Sequence, residues 1–237
     1  MKIALFGYGK MGQAIENEAL KKGYEISLII NSQNAHMKTV EALKDVDVII
    51  EFSRPESAVS NIMMAIEAGT PIISGTTGWL DQMDTVRQAC QNKKGAFLYA
   101  SNFSIGVNLF FQLNKMLAKT MNAYPQYQPS LEEIHHTQKL DAPSGTAITL
   151  ANDLLDKVDR KDAWVKGAAA SATDLAVMSK RIDQVPGTHS IEWTSAIDTI
   201  EIKHTAHSRK GFVLGALLAA EWIVGKEGFF GMEDVLF

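Results

Sequence analysis

The sequence predicts an α/β protein with a doubly wound parallel sheet and a smaller α+β domain carrying a mixed sheet. Three observations predict it. Short apolar runs alternate with helical patterns along the first part of the chain. A loop of the form Gly7-x-Gly9-x-x-Gly12 follows the first run directly. After Asn102 the alternation stops, and strand patterns gather together.

Whole-chain properties narrow the class. The chain has 237 residues, 46% hydrophobic and 21% charged, with a formal net charge of −4, as an ordinary globular protein has. No basic patch stands out, which argues against a nucleic-acid partner. The single cysteine, Cys90, excludes an intramolecular disulfide and a cysteine zinc cluster, and suits a reducing, cytoplasmic setting. Met1–Phe6 runs straight into structure without a leader pattern. The longest apolar stretch, Phe212–Val224, is interrupted by Glu221 and falls short of the ~20 residues that span a bilayer, so no membrane partner is expected.

Lys2–Phe6 reads as a buried parallel strand, and Met11–Lys22 as a helix ended by Gly23. Between them, Gly7 permits a tight turn, Gly9 lets backbone approach a pyrophosphate, and Gly12 lets the helix pack closely on the strand. With strand, helix and strand in that order, the loop predicts a Rossmann-like dinucleotide site formed by Gly7, Tyr8, Gly9, Lys10, Met11 and Gly12. The second strand, Glu25–Ile30, ends in Asn31-Ser32, where an acid usually meets the cofactor ribose. Asn31 and Ser32 can hydrogen-bond a hydroxyl or a phosphate, so NADH and NADPH both remain open.

Asp47–Phe52 is the third predicted strand. Pro55–Ala68 is a helix with proline in its first turn and Gly69 past its end. Pro71–Ser74, the helix Leu80–Asn92 and the strand Ala96–Tyr99 complete the alternation. Ligands of such sheets bind at the carboxyl ends of the strands. Gly75, Thr76 and Thr77 fall there, as do Ala100, Ser101, Asn102 and Phe103. Arg54 falls there too, and could equally neutralise Glu56.

Ile105–Met121 then reads as one long helix, Tyr124–Pro129 as a connector, Ser130–His136 as a strand and Thr146–Val158 as a helix. Lys166–Ser171 has no clear pattern. Strands are predicted at Ser179–Val185, Ser190–Ala196 and Thr199–Ala206. The apolar helix Gly211–Val224 is expected to return to the first domain, with the tail Phe229–Phe237 against it. This divides the chain into a dinucleotide-binding domain, 1–102 and 209–237, and a substrate-binding and oligomerisation domain, 103–208.

Between Glu132 and Thr146 lie His135, His136, Lys139 and Asp141, followed by a helix start at Ser144-Gly145-Thr146. Two imidazoles, an ammonium and a helix N-terminus suit a small dicarboxylate and can supply a proton. A charged loop between strand and helix is the plainer alternative. On a strand, His135 shares a face with Glu133 and His136 with Ile134, so the two histidines should not share a role. Adjacent histidines are poorly placed for joint ligation, so no metal is expected, and Ser144 lacks a visible base. His204 reads as a packed or interface histidine rather than a catalyst, whereas His36, His189 and His207 carry no pattern.

The run His135-His136-x-x-Lys139-x-Asp141-Ala142-Pro143-Ser144-Gly145-Thr146-Ala147 resembles the signature of the 4-hydroxy-tetrahydrodipicolinate (dihydrodipicolinate) reductase family. Gly7–Gly12, Phe52–Glu56, Gly75–Gly78, Ser101–Asn108 and Gly228–Leu236 agree in order and spacing. The resemblance implies a homotetrameric NADH- or NADPH-dependent oxidoreductase of lysine and diaminopimelate synthesis. Hydride would add to C4 of a cyclic imine dicarboxylate with loss of water. It makes His135 the general acid and Lys139 its cationic partner, with His136, Lys139, Gly145 and Thr146 on the substrate carboxylates. It places Gly75–Thr77 and Ala100–Phe103 on the nicotinamide side, and Asn102-Phe103 at a hinge. Another amino- or oxo-acid dehydrogenase would share the nucleotide half, and a dinucleotide-sensing regulator would leave the His/Lys cluster without a task.

Overall fold

The structure, a computed structural model, describes all 237 residues. The chain forms two compact units, Met1–Ile105 with Lys210–Phe237, and Gly106–Arg209.

The first unit is built on contiguous apolar runs that can be buried on both faces only in a parallel sheet covered by helices. β1 (Lys2–Phe6), β2 (Glu25–Ile30), β3 (Val48–Glu51), β4 (Ile72–Ser74), β5 (Ala96–Tyr99) and β11 (Gly228–Phe230) pair in the order β11-β5-β4-β3-β1-β2, every pair parallel. Helix α1 (Lys10–Lys21) and helix α7 (Lys210–Ile223) share one apolar core with Ile3, Leu5, Val48, Ile50 and Leu98. Helix α3 (Pro55–Ala68), helix α4 (Met83–Lys93) and the short α2 (Val40–Leu43) cover the other core, around Ala4, Phe6, Ile49, Ile72 and Phe97. This is the doubly wound arrangement. Helix α7 is apolar almost all round because it packs against α1 and the sheet together. Its Gly215 lies so close to Phe103 that a Cβ would stand 1.7 Å from the carbonyl oxygen.

The tail does more than lie against α7. Gly228–Phe230 adds a sixth strand beside β5, with the Phe230 ring edge-on to Trp222 of α7 at 5.0 Å, and the last turn, α8 (Met232–Leu236), packs on the same helix. A strand this short carries no alternation to read.

The second unit has a mixed five-stranded sheet, β10-β9-β6-β8-β7. The strands are β6 (Gln128–His135), β7 (Ala163–Lys166), β8 (Asp174–Arg181), β9 (Thr188–Thr194) and β10 (Thr199–Thr205). β9 runs antiparallel to β6 and β10, whereas β6, β8 and β7 are parallel. Helices α5 (Ile105–Met121) and α6 (Gly145–Lys157) enclose a core around Leu131, Val177, Ile191 and Trp193.

Two strand assignments need correction. The strand predicted at Ser179–Val185 is Asp174–Arg181, and a further strand, Ala163–Lys166, ends where the patternless stretch Lys166–Ser171 begins. Only Leu175 and Val177 of β8 are buried, so its apolar alternation is too short to outweigh the later Ile182 and Val185. The Asp174 carboxylate accepts the N–H groups of Ala170 and Ser171, a turn that fixes where β8 starts. β6 also ends at His135, so His136 lies just past the strand rather than on it.

Candidate active site

In the first unit the glycine loop has no room for side chains where it meets its neighbours. A Cβ on Gly7, whose φ is +94°, would stand 2.0 Å from the carbonyl oxygen of Phe52, and one on Gly12 would stand 2.3 Å from that of Gly7. Gly9 faces open space, with nothing within 4 Å of a Cβ. It caps α1 without a side-chain hydrogen bond, so the first-turn N–H groups are not taken up by a capping side chain. The loop thus fits a pyrophosphate at a helix N-terminus.

Two clefts adjoin it. One, of about 490 Å³, is lined by Gly7, Tyr8 and Gly9 with Asn31, Ser32, Lys38, Arg54 and Asn61. The other, of about 360 Å³, brings Gly9, Lys10 and Met11 to Gly75, Thr76 and Thr77. There Thr76 Oγ1 accepts the Ser53 N–H at 2.9 Å, and Gly75 lies flat on the Phe52 ring. Ala100–Phe103 lines neither cleft. Ala100 and Phe103 are buried in the apolar core, Ser101 is exposed, and Asn102 Oδ1 accepts the Ser104 N–H.

In the second unit β6 delivers alternate side chains inward, and the last of these are Glu133 and His135. His135 Nδ1 lies 3.1 Å from Glu133 Oε2, off the line of a hydrogen bond, and neither atom has a better-aligned partner. Glu133 has no solvent exposure. Its Oε1 accepts the Ser144 N–H at 3.0 Å and pairs with Arg181 at 3.1 Å. Burial alone would raise its pKa, but His135, Ser144 and Ser179 favour the charged form and hold it well below the usual carboxylate range.

His189, on β9 opposite Glu133, completes the group. Its ring stands edge-on to that of His135, 5.1 Å between centroids, and its Nε2 is 3.2 Å from Ser144 Oγ. Burial, with a smaller effect from the neighbouring His135, pushes its pKa down to about 3, so the ring is neutral. Glu133, His135 and His189 also offer three ligand atoms within 4.8 Å of one another, a set brought together by the pairing of β6 with β9 and not by the adjacent His135 and His136.

Ser144 caps α6, its Oγ accepting the Ala147 N–H at 3.2 Å, and a Cβ on Gly145 would meet nothing within 4 Å. Lys139 Nζ contacts both oxygens of Asp141, at 2.8 and 2.9 Å, on the exposed loop between β6 and α6. Arg181 ties that loop down by donating to the carbonyls of Lys139 and Asp141. On the far side of His135, a Cβ on Gly187 would stand 3.1 Å from Nε2. The half-buried His204 ring lies tilted beside that of Phe110, 6.0 Å between centroids.

The candidate substrate residues therefore share one strand end and one helix start. Glu133, Arg181, His189 and Gly187 join them without having been singled out. For Glu133 there was a signal: an acid two residues before His135 on the inward face of a strand.

The chain resembles known proteins along its whole length. Residues 1–103 match the family model for "Dihydrodipicolinate reductase, N-terminus", and residues 106–236 that for the C-terminus. A 4-hydroxy-tetrahydrodipicolinate reductase of Christiangramia forsetii is 45% identical over 238 residues, covering 100% of this chain and 98% of that protein. One of Methanosarcina barkeri is 34% identical, covering 91% and 81%. Among solved structures, a dipicolinate-bound dihydrodipicolinate reductase from Paenisporosarcina sp. TG-14 shares the fold with a TM-score of 0.79 at 21% identity, covering 100% of this chain and 99% of that one. Matched in both halves, the chain belongs to the dihydrodipicolinate reductase family.

Proposed function

We propose that the chain reduces 4-hydroxy-tetrahydrodipicolinate to tetrahydrodipicolinate with NADH or NADPH, in lysine and diaminopimelate synthesis. Beyond family membership, one observation carries this reading: a nearly buried His135 stands on a charged, fully buried Glu133 at the end of β6.

Loss of the 4-hydroxyl group as water leaves a conjugated imine dicarboxylate, and the reduced nicotinamide, when bound, would supply the hydride for its C4. His135 supplies the proton. Its Nδ1 is buried against Glu133, which leaves Nε2, on the Gly187 side, as the nitrogen that hands the proton on. Glu133 stabilises the imidazolium before transfer. Afterwards it keeps the remaining proton on Nδ1, so the ring stays in one tautomer. Lys139, His136, Gly145 and Thr146 receive the two carboxylates. The Lys139–Asp141 pair is partly exposed and weak in water, so a substrate carboxylate can displace Asp141. In this reading residues 1–102 and 209–237 hold the dinucleotide, and 103–208 hold the substrate and the contacts of a homotetramer. No helix is long and apolar enough to cross a membrane.

The test couples the chain to a synthase that makes the unstable substrate from aspartate semialdehyde and pyruvate, and follows NADH and NADPH absorbance. Oxidation of at least one is expected, and oxidation of neither refutes the reading. His135→Gln and Lys139→Ala should each lower kcat by about 100-fold or more while nucleotide binding survives. Near-normal rates in both would remove the proton-donor assignment.

A further inference from the structure

The cleft at the tip of β2 has a charge pattern that bears on the choice of cofactor. In a strand–glycine loop–helix–strand unit, residues just past the second strand meet the ribose of the adenosine half. A carboxylate there accepts the ribose hydroxyls and repels a 2′-phosphate, and a cation does the reverse. No aspartate or glutamate lines this cleft, whereas Lys38 and Arg54 both do.

Asn31 and Ser32 line it as well, but the Asn31 carboxamide oxygen is committed to its own turn. It accepts the Gln33 N–H at 2.8 Å, while the Asn31 N–H donates to Asn34 Oδ1 at 2.7 Å. That turn and the single 3₁₀ turn Ala35–Met37 bring Lys38 back to the cleft.

The Lys38 ammonium is held there through a chain of oriented groups. Glu51, fully buried at the end of β3, accepts from Ser74 Oγ at 2.6 Å, from the Ser53 N–H at 3.1 Å and from Asn61 Nδ2 at 3.3 Å. Asn61 Nδ2 also donates to Ser53 Oγ at 3.1 Å. With its nitrogen directed inward, the Asn61 amide presents Oδ1 to Lys38 Nζ at 2.7 Å. One of three ammonium donors is thereby used on a neutral partner. Burial lowers the pKa of Lys38, opposed by the more distant charge of Glu51. The ammonium is thus partly desolvated without a carboxylate in contact, and a phosphate dianion would complete it.

We propose that Lys38, positioned by Asn61 and Glu51, selects NADPH over NADH by pairing with the 2′-phosphate of the cofactor. The proposal rests on the dinucleotide reading of the glycine loop and refines it.

Calorimetric titration of the full chain tests it without turnover, using NADPH, NADH, adenosine 2′,5′-bisphosphate, AMP and inorganic phosphate. The 2′-phosphorylated ligand of each pair should bind about tenfold or more tightly, and inorganic phosphate should not substitute. Lys38→Met should bring each ratio to within about threefold of unity while NADH affinity stays within about twofold, and Lys38→Glu should invert the preference. Lys38→Arg should keep it. Equal binding of NADPH and NADH by the parent chain overturns the proposal and leaves the reductase reading standing. So does a preference that survives in Lys38→Glu. Failure of every nucleotide to bind overturns both.

Discussion

Glu133 is the residue with the most at stake. A carboxylate with no exposure is costly unless every oxygen is answered, and here the answers are Arg181, the Ser144 N–H and the His135 ring. His135 is the proposed proton donor, and Arg181 and Ser144 fix the loop and the helix start beside it, so Glu133 ties these groups together. Glu133→Gln keeps the shape and one acceptor oxygen but removes the charge that stabilises a protonated His135. The expected result is a kcat lower by about 10- to 100-fold near neutral pH, with NADPH and NADH binding unchanged. A kcat that stays at the parent value would make Glu133 scaffolding only.

Helix α6 is where local sequence rules and site chemistry coincide. Ser144 caps the helix, its N–H meets Glu133, and its hydroxyl meets His189. Ser144→Ala should cost about 1 kcal/mol in denaturant unfolding. It should also raise the substrate KM, because the helix start at Gly145 loses its fixed position, while nucleotide binding is untouched. An unchanged KM would separate the cap from the site. Such elements were legible because their signals are local: Ser144-Gly145-Thr146 announces a helix, and apolar runs such as Ile3–Phe6 and Val48–Ile50 announce buried parallel strands. The glycine loop was legible for the same reason, since close approach leaves no alternative residue at Gly7 and Gly12. The remainder depends on register between distant strands. His189 reaches the site because β9 pairs it with Glu133, and Arg181 because β8 pairs it with His135. Neither pairing has a trace in local spacing, and β8 itself was displaced by the apolar residues that follow it. Lys38 has no local signal that ties it to the cleft, because the Asn61 and Glu51 that position it come from other elements.

At the scale of the whole molecule, the buried charges of the second unit make its stability depend on pH in one direction. Glu133 has a native pKa held below the ordinary glutamate value of 4.5, so the unfolded chain binds a proton there first as pH falls. Stability from Glu133 is complete above about pH 4.5 and declines below it. His189 adds to this from higher pH. Native His189 stays neutral down to about pH 3, whereas an unfolded histidine takes up its proton from 6.5 downward, so unfolding gains between those values. In the first unit, Glu221 is also held low, against the cost of its burial, by Lys22 and Tyr24. It is partly exposed and its contribution correspondingly screened. Acid should therefore open the second unit first. Hydrogen exchange followed by mass spectrometry at pH 7, 5.5 and 4, corrected for intrinsic rates, should show β6, β8 and β9 losing protection while β1, β3 and β4 keep theirs. His189→Asn should flatten the loss between pH 6.5 and 5, since an amide cannot titrate. Uniform protection in both units across that range would mean that the buried Glu133–His135–His189 group does not govern acid stability.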